Sequence, residues 1–453
     1  KNNRWGVFPS VSLGWKFSNE PFMKNATWLS SGKLRVGWGK LGNNRIDELS
    51  RYTYLTSGYN YSYGAGNKST YQGVTATVIG NDGIVWEKSE NLNAGIDLSF
   101  LDSRLQVTVE YFNRKTTDML LRVPTVSSAG LGSSPMTNAG SVKNYGWEAD
   151  VKWRDHIGKD WRYEVGFNVS WTRNKVTSLG TGNEPIYGAY ISDISMAGYV
   201  TKTEVGMPIG AFYGYVTDGI FNNWEEVEAS AQYEPGKNIN EQATRPGDFR
   251  FKDLNNDGQI TAEDRTYLGS SLPDFVFGIP LSVGFKGWDL SMFFQGQTGN
   301  KIFNVTDNYL YIAAKGNVYA DIRSQHWSDG GVDVKEHSFW PANYAAKVPD
   351  LSNNDGANNF RASDFFIKDG SYLRLKQLAL TYNFPQSIIN KLRITNLALS
   401  LTCYNLLTIT GYDGMDPEVG KVVGTETNNL SMGVDYGNYP QARSFTFGVK
   451  LGI

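Results

Sequence analysis

The chain has 453 residues, with 43 Lys+Arg against 45 Asp+Glu for a formal charge of −2, so no broad electrostatic attraction draws it to nucleic acid. Charged residues reach 19%, aromatics 14% and glycine 49 positions, which excludes a disordered chain and sets it apart from an ordinary soluble enzyme. Cys403 is the single cysteine, excluding a disulfide scaffold and a Cys-rich zinc site while leaving the redox compartment open. No run approaches the ~18 apolar residues of a spanning helix, and mean hydropathy is −0.39. A helical membrane protein is excluded; a membrane β-barrel, which alternates lipid-facing and water-facing residues, is not. The sequence begins at Lys1 with no initiator Met and no leader, as expected of a mature, processed or fragmentary chain.

Period-2 alternation, sustained for nine or more residues in its longer runs, recurs along the chain and predicts strands with one apolar face. The first runs through Trp5, Val7, Val11, Leu13, Trp15 and Phe17, and the second through Leu34, Val36 and Trp38. Leu92, Ala94, Ile96, Leu98 and Phe100 share a face, and a turn at 101–104 leads into Leu105, Val107, Val109 and Tyr111. A further hairpin joins Tyr145–Trp153 to Trp161–Trp171 around Gly158, and another joins Phe277–Phe285 to Leu290–Phe294 through Lys286 and Gly287. Leu378 to Phe384 pairs with Leu397 to Cys403, and Phe445, Phe447, Val449, Leu451 and Ile453 form the last strand.

Between the tight hairpins lie long polar connections at roughly 116–143, 173–273, 299–369 and 409–440. Short turns alternating with long loops are the habit of outer-membrane barrels, short on the periplasmic side and long outside. Runs this long cross a bilayer, which takes ~9–11 residues at ~45° tilt, whereas sandwich strands average ~5–6. Trp and Tyr at the ends of the apolar faces, as at Tyr145, Trp153, Trp161 and Trp171, fit an interfacial girdle. The fold class expected is an all-β, antiparallel transmembrane β-barrel. About eleven crossings follow, with first and last strands running toward the periplasm. An odd count cannot close an antiparallel barrel, so further strands are expected to complete the sheet. Phe212-Tyr213-Gly214-Tyr215 and Phe249-Arg250-Phe251 are candidates for one additional pair.

Several blocks resemble the SusC/RagA-type TonB-dependent transporters of Gram-negative outer membranes. They are RWGVFPSVSLGWKFSNEPFM with GKLRVGWGKLGN, then GMPIGAFYGYVTDGIF, then residues 246–300, PGDFRFKDLNNDGQITAEDRTYLGSSLPDFVFGIPLSVGFKGWDLSMFFQGQTGN, and finally SDFFIKDGSYLRLKQLALTYNFP. They follow the family's order from the first residues to the last. The resemblance implies a 22-stranded barrel of which residues 1–453 supply about the C-terminal half, with signal peptide, N-terminal extension, plug and TonB box upstream. It also implies import of oligosaccharides or peptides with a SusD-type surface lipoprotein, energised through TonB, with a remaining barrel segment, membrane lipid or lipopolysaccharide and no nucleic acid as further contacts. The terminal alternating strand resembles a barrel-insertion signal, although Ile453 stands where an aromatic is often last.

The sharpest local motif is Asp253 to Asp264, DLNNDGQITAED. It places oxygen ligands at positions 1, 3 and 5, Gly at 6, a backbone carbonyl at 7 and a carboxylate at 12, the pattern of a calcium loop. The expected ligands are Asp253, Asn255, Asp257, the Gln259 carbonyl and Asp264. Asp in place of Glu at position 12 and the lack of flanking amphipathic helices make it an isolated or dockerin-like loop; the competing reading is an Asx-rich turn. No catalytic constellation is present: His156, His326 and His337 are scattered and form no HExxH pattern. The glycines of 210–219 and 296–299 match no phosphate-binding fingerprint and suit bends or close approach. Trp327, Trp340 and Tyr344 can stack on a sugar, though loop packing requires the same residues. Two other functions fit part of the pattern: a soluble calcium-containing carbohydrate-binding β-protein and a passive porin.

Overall fold

A computed structural model describes residues 5–44, 50–63, 66, 69–122, 136–180, 182–191, 198–311, 318–320, 322–333, 338–340, 342–350, 359–420 and 430–452. Eleven strands pair in strict chain order into one antiparallel sheet. These wall strands are β1 (Ser10–Trp15), β2 (Leu29–Asn43), β3 (Glu87–Phe100), β4 (Leu105–Arg122), β5 (Met136–Ile157), β6 (Trp161–Ser178), β7 (Phe275–Phe285), β8 (Trp288–Thr298), β9 (Tyr372–Asn383), β10 (Asn396–Thr410) and β11 (Ser444–Gly452). The strand count matches the reading of the sequence. Among the described residues the outer edges of β1 and β11 pair with no further strand. Their side chains show what that leaves bare: Leu13 and Phe447 are 74% and 82% exposed.

Register divides the wall into two faces. Leu34, Ile96, Val109, Ala149 and Val169 stand in one row across β2 to β6, and many of the apolar side chains on this face are exposed, including Val36, Val151, Phe167 and Leu399. Residues one step along each strand, among them Arg35, Asp97, Glu110, Glu148 and Ser170, form the opposite polar face. In water such an apolar face costs too much free energy to leave bare; in lipid it is the stable arrangement. At the turn end, Trp161 stacks on Phe285 at 4.2 Å and Trp288 lies 4.6 Å from Tyr382. Near the other end Tyr111 meets Trp147 at 5.0 Å and Tyr145 meets Trp171 at 6.3 Å. Ten residues separate Trp161 from Trp171, and at ~3.3 Å per residue with ~40° tilt the two rows stand about 25 Å apart, the height of an outer-membrane apolar band.

The structure departs from the sequence reading in several places. β1 begins at Ser10, because Pro9 lacks an N–H and contributes only its carbonyl, to Lys40 N at 2.9 Å; Trp5 and Val7 precede the strand, and Phe17 sits in a short 3-10 turn. Much of 116–143 is strand, since β4 and β5 run to 18 and 22 residues and rise beyond the apolar band. Residues 44–86 form an additional long connection with two small hairpins, Tyr54–Ser57 with Val74–Val78 and Tyr61–Tyr63 with Ser69–Tyr71. The candidate extra pair is not in the wall. Ala211–Gly214 joins a four-stranded sheet with Ile186–Ile191, Gly198–Thr203 and Thr266–Gly269, while Phe249–Phe251 pairs with Thr217–Ile220. Strands of three or four residues are too short to cross a bilayer.

These pieces build a cap at the long-loop end. A three-stranded sheet of Ile367–Asp369, Lys301–Asn304 and Val434–Asp435 ties together connections that are distant in sequence. Ile191, Val200, Phe212, Phe303, Val305 and Phe366 pack into one buried cluster. The main apolar core of the described chain therefore lies in connections that read as polar, outside the wall.

Candidate functional site

The polar face of the wall is the first candidate surface. Alternation along β2, β3 and β4 puts Arg35 opposite Gly95, itself opposite Glu110, and the absent side chain at Gly95 leaves room for Arg35 to reach across. Arg35 ion-pairs with Glu110 and with Asp97 at 3.2 Å; Asn93 donates to Glu110 at 2.7 Å and Thr108 to Asp97 at 3.2 Å. Beside this network lies a cavity of about 340 Å³ lined by Asn91, Asn93, Glu110, Arg114, Asn144 and Glu148. Toward the turn end a larger one of about 680 Å³ is bordered by Arg104, Arg154, Arg162, Asp155, Glu164 and Asp289. Arg104 pairs with Asp155 at 3.3 Å and Arg162 with Asp289. A wall of this kind wets a lumen and can hold a polar occupant through many exchangeable hydrogen bonds. The sequence reading named none of these residues, although the alternation that identified the lipid face also identifies its complement.

The wall and the cap are joined by a buried ion network. Arg374 on β9 is fully buried and directs its guanidinium to Asp416 at 2.7 Å, Glu418 at 2.8 Å and Thr408 at 2.9 Å. Lys376 also reaches Glu418 at 2.7 Å. Burial alone raises the Asp416 carboxyl, but amide donors from Gln441 and Glu418 together with Arg374 prevail and hold it below the usual carboxylate range.

The loop Asp253–Asp264 lies on the cap. Asp253 accepts the amides of Asn256 at 2.6 Å and Gly258 at 2.8 Å, Asn255 accepts that of Asp257, and Asp257 accepts that of Gln259. Gly258 has φ +81°, the left-handed conformation that position 6 requires. Asp264 is fully buried and folds back to accept Leu254 N at 2.9 Å and Thr261 N at 2.7 Å. Burial pushes its carboxyl up, and these amides outweigh that and keep it ionised below the usual range. The Asn255 amide donates to Asp257 at 2.9 Å. Among the described residues no three His, Cys, Asp or Glu side chains converge as a metal cluster; the loop's potential ligand set depends on Asn255 and the Gln259 carbonyl as well as carboxylates.

Trp327 is buried, donates to Asn222 at 3.1 Å and packs 6.3 Å from Tyr344, so it is a core residue of the cap while Tyr344 is exposed. The side chain of Trp340 and the residues His337 and Ile453 lie outside the described set. His156 is exposed beside Asp155, and His326 is buried with Nδ1 2.8 Å from the Ile322 carbonyl. Gly296 allows close approach, since a Cβ there would meet the Phe277 ring at 2.4 Å.

The sequence profile of the TonB dependent receptor-like β-barrel matches residues 1–295. The chain belongs to the TonB-dependent receptor family. Its β-barrel is an outer-membrane fold, and among the described residues no helix is long and apolar enough to cross a membrane. This family member is 30% identical to the TonB-dependent receptor P3 of Formosa agariphila, over all of this chain and 42% of the relative. It is 27% identical to the TonB-dependent receptor SusC of Bacteroides thetaiotaomicron, over all of this chain and 40% of SusC. Among solved structures, the RagAB peptide transporter matches with a TM-score of 0.73 at 23% identity, over all of this chain and 44% of the matched chain. That likeness shows the fold. The chain thus spans about two fifths of the curated relatives it matches, consistent with eleven strands of a larger barrel.

Proposed function

We propose that the chain is the C-terminal part of a substrate-import barrel of the SusC/RagA type, covering residues 1–453 with the plug and first strands upstream. It takes in oligosaccharides or peptides, works with a SusD-type lipoprotein and draws energy through TonB; it carries no catalysis. The observation supporting this most is the polar inner wall around Arg35, Asp97 and Glu110 beneath a folded cap, since a passive pore needs the first and not the second. In cells expressing the complete protein, uptake of its substrate is expected to stop when TonB is deleted. Unchanged uptake without TonB makes the barrel a passive pore. Cross-linking near Phe447 on β11 is expected to capture a strand of the upstream segment, because unpaired backbone groups in lipid cost several kcal/mol each. Capture of β1 near Leu13 instead means that these strands close on themselves.

We also propose that Asp253, Asn255, Asp257, the Gln259 carbonyl and Asp264 hold one calcium ion. The left-handed Gly258 and the inward Asp264 fit a hard-cation loop. Calcium is expected to raise the protease resistance of this loop at ~10⁻⁴–10⁻³ M, the affinity of extracellular modules. Asp257→Ala removes that protection; protection that persists in the variant leaves the motif a turn only.

A further inference from the structure

The four-stranded cap sheet has two unlike faces. One packs Ile191, Val200 and Phe212 into the core. The other carries exposed tyrosines: Tyr187 stands 5.7 Å from Tyr199, which stands 4.9 Å from Tyr190, and Tyr267 pairs across strands with Tyr213. Rings exposed in a row form a platform, the kind of surface that marks a binding site.

At one end of the platform Tyr213 is held between two cations. The Lys202 ammonium lies 4.5 Å from its ring centre and the Arg265 guanidinium carbon 4.6 Å from it. Arg265 donates through Nη2 to the carbonyls of Tyr199 and Tyr213, which fixes its position. Its Nε is buried with no hydrogen-bond partner, and among the described residues no carboxylate forms an ion pair with it. Lys202, by contrast, is paired with Glu204 at 3.0 Å. Together Lys202, Glu204 and Arg265 leave one positive charge uncompensated. They border a cavity of about 170 Å³ whose wall includes Tyr213 and Tyr267, smaller than the ~300 Å³ of a drug-sized site and suited to a single ring or acidic group.

We propose that this cavity is an anion-reading subsite for an acidic saccharide: one carboxylate or sulfate ester supplies the counter-ion missing from Arg265, and neighbouring sugar rings stack on the tyrosine platform. Charge complementarity selects the anion, because a partly desolvated guanidinium gains most from a charged acceptor. The open aromatic row selects a chain of sugar rings, each with an apolar C–H face to lay on it, over a flexible acidic peptide, which has none. The inference rests on the import reading only for its purpose, since binding does not require transport.

The test is calorimetric binding to the complete protein in detergent. The probes are a galacturonate hexamer beside its neutral methyl ester, a heparin-derived hexasaccharide beside its desulfated, N-acetylated and carboxyl-esterified neutral form, and a hexaglutamate peptide. At least one acidic saccharide is expected to bind roughly 10- to 100-fold more tightly than its neutral form, with the difference shrinking as salt rises. Arg265→Gln is expected to abolish the difference. Lys202→Gln, whose ammonium lies at the cavity beside Glu204, should reduce it too and gives a second variant independent of Arg265. Tyr267→Ala weakens acidic and neutral saccharides alike. Equal binding of charged and neutral forms, a preference for hexaglutamate, no saccharide binding, or discrimination that survives in both Arg265→Gln and Lys202→Gln overturns the subsite. Uptake measured separately decides the import reading, which stands or falls independently of these affinities.

Discussion

The wall and the cap use the same apolar residue types in opposite ways. In the wall, Val36, Val151, Phe167 and Leu399 are exposed along strands whose backbone groups are paired by neighbours, as lipid demands. In the cap, Phe212, Phe303 and Phe366 are fully buried, and short strands from three distant connections close around them as in a water-soluble domain. The solvent of each region therefore decides where its apolar surface goes. One chain carries two stabilities, a ladder that depends on lipid and a core that depends on water, joined by Arg374 and its carboxylates.

The largest expected effect strikes that joint. Arg374→Ala leaves the buried Asp416 without its cation while Glu418 keeps only Lys376, and loss of one partner from a buried pair costs about 3–5 kcal/mol. Cap unfolding followed by hydrogen exchange should show it, while Arg374→Met combined with Asp416→Asn recovers part of the loss. If Arg374→Ala leaves cap protection intact, the network is not what ties the two regions. Phe303→Ala tests the cap core by itself: truncating a buried Phe costs about 3–5 kcal/mol, which should appear as faster exchange in 186–214 and 360–367 while wall strands stay protected. Equal loss in both regions makes them one cooperative unit.

A smaller effect tests the wall. Leu401→Arg on the lipid face should cost ~2–4 kcal/mol near mid-membrane, whereas Ser400→Arg on the inner face should be mild. Unfolding measured in lipid vesicles checks both, and equal losses erase the distinction between faces. The smallest concerns pH. Because the folded Asp416 carboxyl sits below its ordinary value, its stabilisation is fully present above the unfolded value of ~3.9 and is lost only as pH falls further, through the folded value. Protease resistance of the segment around Asp416 should therefore hold from pH 7 to pH 5 and decline below about 4; a decline already complete at pH 5 means that the carboxyl is not held ionised.

Much of the wall was legible because period-2 alternation is local. Leu92 to Phe100 and Trp161 to Trp171 state their own face, register and length, and the tight turns at 101–104 and around Gly158 set their pairing. The turn formed by Asp253 to Asp264 was legible for the same reason: Gly258 and the Asx side chains that fold it lie within twelve consecutive residues. The cap was not, since Phe212, Phe303, Phe366 and Val434 come together from connections far apart in the chain and follow no period. The Arg374 network was hidden likewise, its carboxylates lying some forty residues beyond it. Arg35, Asp97 and Glu110 were within reach as the complement of the lipid face, but alternation alone does not say which polar positions pair. Trp327 reads as an available sugar-stacking ring in sequence and proves to be buried packing.

Single-cysteine accessibility in cells shows most directly whether the short turns and the folded cap lie on opposite sides of an outer membrane. Cys403 is buried, so it serves as a silent background. Lys237→Cys places a thiol on the cap and Lys159→Cys one on the turn between β5 and β6. In intact cells expressing the complete protein, a membrane-impermeant maleimide is expected to label the Lys237→Cys variant, and to label the Lys159→Cys variant only after the outer membrane is permeabilised. Labelling of both variants in intact cells, or of Lys159→Cys alone, contradicts the account.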